Sequence, residues 1–206
     1  MSSLGSRDRQ LLLALARRAV MRAVEFREAI ANLPSEETLQ RPGGAFVTLR
    51  RPGGRLRGCI GQLPSNHPLI EVVAHCAKAA ALEDPRFRPL SPQELDEIEI
   101  EISVLSPLEP IALHQIEPGK HGVVVTRGAH RGVLLPQVAA EYQWTAERFL
   151  EETCEKAGLE RDAWKDAETC IEAFTAEVFS ESDLRSEAPS DPEPQGRAKP
   201  RYSSST

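Results

Sequence analysis

Apolar residues near the start of the chain recur at steps of three and four: Leu12, Leu15, Ala19, Ala23, Phe26 and Ile30. That period places them on one stripe of a helix, predicted over residues 9–32 and ended by Pro34. Arg17, Arg18 and Arg22 fall mostly off the stripe and are expected to be solvated. Residues 45–50 and 55–60 read as a strand pair joined by the turn Arg51-Pro52-Gly53-Gly54. On the second of these strands a period of two puts Arg57 and Cys59 on one face. Leu56 and Ile60 point the other way, with Gly58 between them. A second helix opens after Pro64-Ser65-Asn66-His67, with Pro68 as its first helical residue. Leu69, Val72, Val73, Cys76 and Ala80 form its apolar stripe.

Ser91-Pro92-Gln93-Glu94 fits a capping box and begins a short helix. Residues 98–105 alternate cleanly: Ile98, Ile100, Ile102 and Val104 share one face, and Glu99, Glu101 and Ser103 the other. Residues 123–127 and 132–135 form a second hairpin through Gly128-Ala129-His130-Arg131. Thr145 caps a helix carrying Phe149, Leu150, Thr153 and Cys154, which Gly158 ends. Residues 170–179 read as one last strand. These elements predict an α/β, α+β-like fold with a mostly antiparallel mixed sheet flanked by helices. Residues 1–8 are expected to be a flexible start and 9–181 one domain. Residues 182–206, rich in Ser, Pro and charge, are expected to be a disordered tail.

The chain has 206 residues, enough to bury a substantial core. Its net charge of -6 argues against a broad nucleic-acid surface. No stretch approaches the roughly 18 apolar residues of a membrane span. The short run at residues 11–16 is followed at once by Arg17 and Arg18, so it reads as a helix of the fold and not a signal peptide. The four cysteines, Cys59, Cys76, Cys154 and Cys170, show no C-x-x-C pair and no zinc spacing. No metal site is predicted, and reduced thiols in a cytoplasmic protein are the simpler expectation.

The candidate chemistry centres on Arg57 to Gly61. A guanidinium beside Cys59 would favour its thiolate and make it a nucleophile or redox group; equally, Cys59 is a small buried hydrophobe. Arg57 and Arg86 suit a bidentate clamp on a carboxylate or phosphate, or structural ion pairs to Glu99 or Glu101. Gly58 and Gly61 let backbone approach a ligand, or permit a tight crossing in the sheet. Glu101 lines the site or faces water, and Gln137 orients a ligand or caps the next element. His121 is the candidate base to Cys59, or an exposed turn residue.

Several segments carry a resemblance to the AMMECR domain family, also labelled protein A of the Amme-Memo-radical-SAM system. They are Gly44-Ala45-Phe46-Val47-Thr48-Leu49, Leu56-Arg57-Gly58-Cys59-Ile60-Gly61 and Asp84-Pro85-Arg86-Phe87. Ile100-Glu101-Ile102-Ser103-Val104-Leu105-Ser106-Pro107 and Leu134-Leu135-Pro136-Gln137-Val138 add to them. The match runs in order from about residue 11 to 179. The resemblance implies a larger and a smaller subdomain with a cleft between them, and marks the hexapeptide around Gly58 and Cys59 as the functional site. It names no reaction and no cofactor. It also implies a pathway shared with Memo-type and radical-SAM proteins. This chain lacks the C-x-x-x-C-x-x-C motif of a radical-SAM cluster, so that chemistry belongs to a partner. The expected function is binding of, or action on, a small anionic metabolite in the cleft. A non-catalytic adaptor is the alternative, and a nucleic-acid-associated regulator is the less favoured third.

Overall fold

The computed structural model describes residues 4–30 and 33–187. The protein is an α+β structure with two four-stranded antiparallel sheets, in line with the expected class. The first helix, α1 (Ser6–Phe26), starts inside the segment expected to be loose and stops short of residue 32. Arg27 adopts a left-handed φ of 58° and its N–H bonds back to the Ala23 carbonyl, which closes the helix. Phe26 lies past the end of the buried stripe and is exposed.

β1 (Gly44–Arg50) and β2 (Leu56–Gln62) form the predicted hairpin. Helix α2 (Leu69–Leu82) follows, with Pro68 as its N-cap and not its first turn. The capping box at Ser91 and Glu94 forms, but around a single 3-10 turn. β3 (Glu99–Leu105) alternates as predicted: Ile100, Ile102 and Val104 are buried against the helices. The first sheet has the order β2-β1-β3-β8, where β8 is Ala176–Ser180. Helices α1 and α2 cover one face, burying Leu12, Leu15, Val20, Val47, Leu49, Val73 and Ile102 in one core. Each such side chain contributes roughly 1.5–3 kcal/mol by leaving water.

The second sheet has the order β4-β7-β5-β6. Its strands are β4 (Glu109–Pro110), β5 (Gly122–Arg127), β6 (His130–Leu134) and β7 (Cys170–Phe174). Helices α3 (Pro136–Glu141) and α4 (Ala146–Lys156) accompany it, and Thr145 caps α4 by accepting the Arg148 N–H. Val123, Val125, Phe149, Leu150 and Cys154 form its core.

The last predicted strand, residues 170–179, is in fact two strands in different sheets. The chain crosses at Thr175 alongside Ser106, where the β3–β4 connection crosses the other way. Ser106 donates its N–H to the Thr175 carbonyl, and the Ser106 hydroxyl oxygen accepts the Thr175 N–H, each at 2.9 Å. Leu105, Val124 and Phe174 pack together at this seam. After β8, helix α5 (Glu181–Glu187) takes up the first residues of the segment expected to be disordered; the rest of that segment lies outside the described residues. Glu181 is anchored: it accepts from Arg17 and from the Ile100 N–H. Arg17, expected to be solvated, therefore ties α1 to α5 and to the carbonyls of Leu95 and Ile98. No described helix is long and apolar enough to cross a membrane.

Candidate functional site

The face of the first sheet turned away from α1 and α2 carries Phe46, Thr48, Cys59 and Gly61, as period-two geometry requires. Thr48 lies directly across from Cys59 and donates its hydroxyl to the Cys59 sulfur at 3.3 Å. Cys59 is partly exposed, whereas Cys76 and Cys154 are buried; Cys170 is exposed, and all four are free thiols. Burial pushes the Cys76 thiol up to about 12, which makes it inert.

The Asp84-Pro85-Arg86-Phe87 segment builds a frame for the Cys59 peptide. Cys59 donates its N–H to Asp84 Oδ2 at 2.8 Å, and its carbonyl accepts Arg86 Nη2 at 3.3 Å. Arg86 in turn donates Nε to Asp84 Oδ1 at 3.0 Å and Nη2 to Oδ2 at 2.7 Å. The Asp84 side chain is almost wholly buried while that of Arg86 is 55% exposed, so the guanidinium remains open to solvent beyond its pair. Hydrogen bonding from Arg86 lowers the Asp84 carboxyl to about 2.

Arg57 is tied differently. It is 5% exposed and donates Nε and Nη2 to Glu94 at 2.8 and 3.0 Å. Glu94 also accepts from Arg51 and from the Ser91 N–H and hydroxyl. The Arg57 hydrogen bonds hold the Glu94 carboxyl well below the usual carboxylate range. The structural partner of Arg57 is thus Glu94, and neither Glu99 nor Glu101. The Phe87 ring packs beside both guanidinium groups, 6.0 Å from Arg57 and 5.5 Å from Arg86.

The glycines serve packing. A Cβ on Gly58 would stand 2.2 Å from the Ala80 carbonyl oxygen, so this residue lets α2 cross the strand closely. Gly61 makes room for the Phe46 ring, whose Cδ1 would be 2.0 Å from an added Cβ. Gly132 does the same for α4 in the second sheet, with the Thr153 carbonyl oxygen 2.3 Å away.

A cavity of about 480 Å³ opens where the first sheet meets β6, α3 and α4. Phe46, Val133, Leu135 and Val138 supply apolar walls. Cys59, Arg86, Arg131 and Lys156 supply the chemistry, and none of the lining residues is a carboxylate. Among the described residues neither Arg131 nor Lys156 has a carboxylate ion-pair partner, although most of the described arginines, Arg86 included, do. Lys156 is exposed at the rim of the cavity, where partial desolvation and the neighbouring charge of Arg86 lower its pKa from the ordinary lysine value.

Of the residues singled out in the sequence, Cys59 and Arg86 meet in this cavity. Arg57 stands beside them under Phe87. His121 does not join them. It lines a separate cavity of about 380 Å³ with Glu109, Glu117 and Phe174, and its Nδ1 accepts the Glu117 N–H. Glu101 is engaged by Arg50 through two hydrogen bonds of 3.0 and 3.2 Å. Gln137 sits exposed at the start of α3, next to the lining residue Val138. Arg131 and Lys156 gave no signal in the sequence. Arg131 reads as part of a turn, and Lys156 as a basic residue suited to a helix C-terminus.

Fold and site define an α+β protein of two antiparallel sheets with a thiol-and-cation cavity between them. A family model described as AMMECR1 matches residues 13–179, and the chain belongs to that family. A protein from Thermococcus gammatolerans is 44% identical over 185 residues, covering 84% of this chain and 89% of its own length. One from Aquifex aeolicus is 41% identical over 183 residues, covering 85% and 94%. The crystal structure of an uncharacterized protein from Pyrococcus horikoshii is similar with a TM-score of 0.76 and 41% identity, covering 82% of this chain and 89% of that one.

Proposed function

We propose that this AMMECR1-family protein binds a small anionic metabolite, a carboxylate or phosphate, in the cavity between its two sheets. The carrying observation is the charge balance there: Arg86, Arg131 and Lys156 line the cavity and no carboxylate does. Arg131 and Lys156 have no carboxylate partner among the described residues, and Arg86, though paired with Asp84, keeps an exposed edge beside them; cations so placed over apolar walls favour a multiply charged or bidentate anion. The two sheets with their helices act as the two subdomains in this reading. The Cys59 thiol is one group available for chemistry on the bound molecule. Its peptide is held at both ends, which keeps the sulfur at a fixed place on the cavity floor. Arg57 supports the floor through Glu94 and Phe87, while His121 has no part because it lines the other cavity. Memo-type and radical-SAM proteins as pathway partners rest on the family resemblance alone.

Titration calorimetry with inorganic phosphate, pyruvate and neutral glycerol tests the reading. The two anions bind and glycerol does not, and Arg131→Met weakens the anions about tenfold, as loss of one charged hydrogen-bond partner does. Failure of both anions to bind, or equal binding of glycerol, would sink it.

A further inference from the structure

We propose that Lys156 is a covalent nucleophile, whose amine condenses with an aldehyde or ketone that carries a carboxylate or phosphate held by Arg86 and Arg131. This rests on the anion-binding reading of the same cavity and names its substrate class: small carbonyl compounds with an acidic group.

The first support is residue choice. The chain has 25 basic residues, and only five of them are lysines. Lys78 pairs with Glu83, Lys120 pairs with Glu117, and Lys165 lies over the Trp164 ring. Lys199 lies outside the described residues. Lys156 has no carboxylate partner among the described residues and lines the cavity with Arg86 and Arg131. An arginine there would supply the charge and bind a carboxylate more specifically, yet it stays protonated at any working pH. A lysine beside a second cation and apolar side chains is the arrangement that frees an amine lone pair. Partial desolvation and the Arg86 charge lower its pKa, and the charge of an ionised Cys59 works against them.

The second support is geometry. The last turn of α4 carries Lys156, and the Thr153 carbonyl and Ala157 of this same segment pack on Gly132 of β6. This close crossing holds the base of the lysine against the cavity wall that also bears Arg131, one residue before Gly132. The anion clamp and the nucleophile are therefore built on adjoining backbone.

In the step itself the Nζ lone pair bonds to the carbonyl carbon. The two amine protons depart with the carbonyl oxygen as water, and the resulting C=N takes a proton from solvent to become an iminium. Water reverses the step, so no oxidant or reductant is consumed.

The test uses the full chain with glyoxylate, and separately with glycolaldehyde, which has a hydroxyl in place of the carboxylate. Each is followed by sodium borohydride and peptide mass mapping. A single dominant adduct on Lys156 is expected, formed faster than on any other lysine. Glyoxylate is preferred over glycolaldehyde, and Arg131→Met removes that preference. Lys156→Arg loses the adduct. Labelling spread evenly over Lys78, Lys120, Lys156 and Lys165, or no trapping at all, overturns the proposal. If inorganic phosphate still binds with dependence on Arg131, the anion-binding reading survives that result; if it does not bind, both fall.

Discussion

Asp84 holds Cys59 in place: its buried Oδ2 accepts the Cys59 N–H at 2.8 Å, while Arg86 bridges from Asp84 to the Cys59 carbonyl. Two segments 25 residues apart in the chain thus form one unit. The unit is pH-dependent. The folded carboxyl, at about 2, lies below the ordinary aspartate value, so its charge stabilises the fold above roughly pH 4 and that contribution fades as the pH falls toward 2. Because Arg86 is more than half exposed, solvent screening limits the effect to about 1–2 kcal/mol. Urea unfolding of Asp84→Asn at pH 7 is expected to show a loss of that order, and the gap to the parent protein narrows at pH 3. A gap that stays constant with pH contradicts the assignment.

Glu94→Gln removes the charge opposite a buried guanidinium. Arg57 already has one buried nitrogen, Nη1, without a hydrogen-bond partner, so it has little means to recover. Breaking a buried pair from one side costs about 3–5 kcal/mol. Arg51, the exposed partner on Glu94, contributes far less, so Arg51→Ala changes the urea midpoint only slightly. Equal effects of the two substitutions would refute the hierarchy.

Gly58 and Gly61 differ in what surrounds them. An added methyl at Gly58 meets the Ala80 backbone carbonyl, which moves only if all of α2 moves. At Gly61 it meets the Phe46 side chain, which can turn aside into the cavity it lines. Gly58→Ala is expected to cost at least about 2–3 kcal/mol, in the range of overpacking, and Gly61→Ala less. Thermal unfolding of the two variants side by side checks the order. Gly61→Ala also fills part of the cavity, so it reduces anion binding more than it reduces stability.

Alkylation reads the cavity's charge directly. Iodoacetate and iodoacetamide attack thiols by the same chemistry but differ in charge. At Cys59 the anionic reagent gains from Arg86, Arg131 and Lys156, whereas Cys170, exposed on β7, serves as the internal standard. The iodoacetate-to-iodoacetamide rate ratio, measured by peptide mass spectrometry, is expected to be higher at Cys59 than at Cys170. It falls with added salt, since screening shortens the reach of the cations. The same ratio at both cysteines would show that the cations do not act on the thiol.

The elements that follow local periodicity were legible in the chain. The alternation from Ile98 to Val104, the turn at Arg51 to Gly54 and the stripe from Leu12 to Ala23 each state a face and a period, and the structure follows them. The alternation also holds from Gly58 to Gln62, but it breaks at Arg57: Leu49 pairs with Gly58 and Arg50 with Leu56, so the face predicted for Arg57 and Cys59 together is interrupted by a bulge. Ends and breaks were less legible. Residues 170–179 run as one apolar segment, and nothing local marks Thr175 as the point where the chain leaves one sheet for the other. That break depends on Ser106, 69 residues away.

Of Arg57 to Gly61, the most distinctive segment of the chain, Cys59 lines the cavity, and the arginine of Asp84-Pro85-Arg86-Phe87 reaches the same cavity. Ion pairing is where the tertiary structure decided. Arg57, Arg86, Arg131 and Lys156 are all simply basic residues in the sequence. Packing gives Glu94 to Arg57 and Asp84 to Arg86, and leaves Arg131 and Lys156 without a carboxylate among the described residues. Periodicity acts over a few neighbouring residues, whereas charge balance in a cavity is a sum over groups brought together from distant parts of the chain. The chemistry of the site is set by that sum.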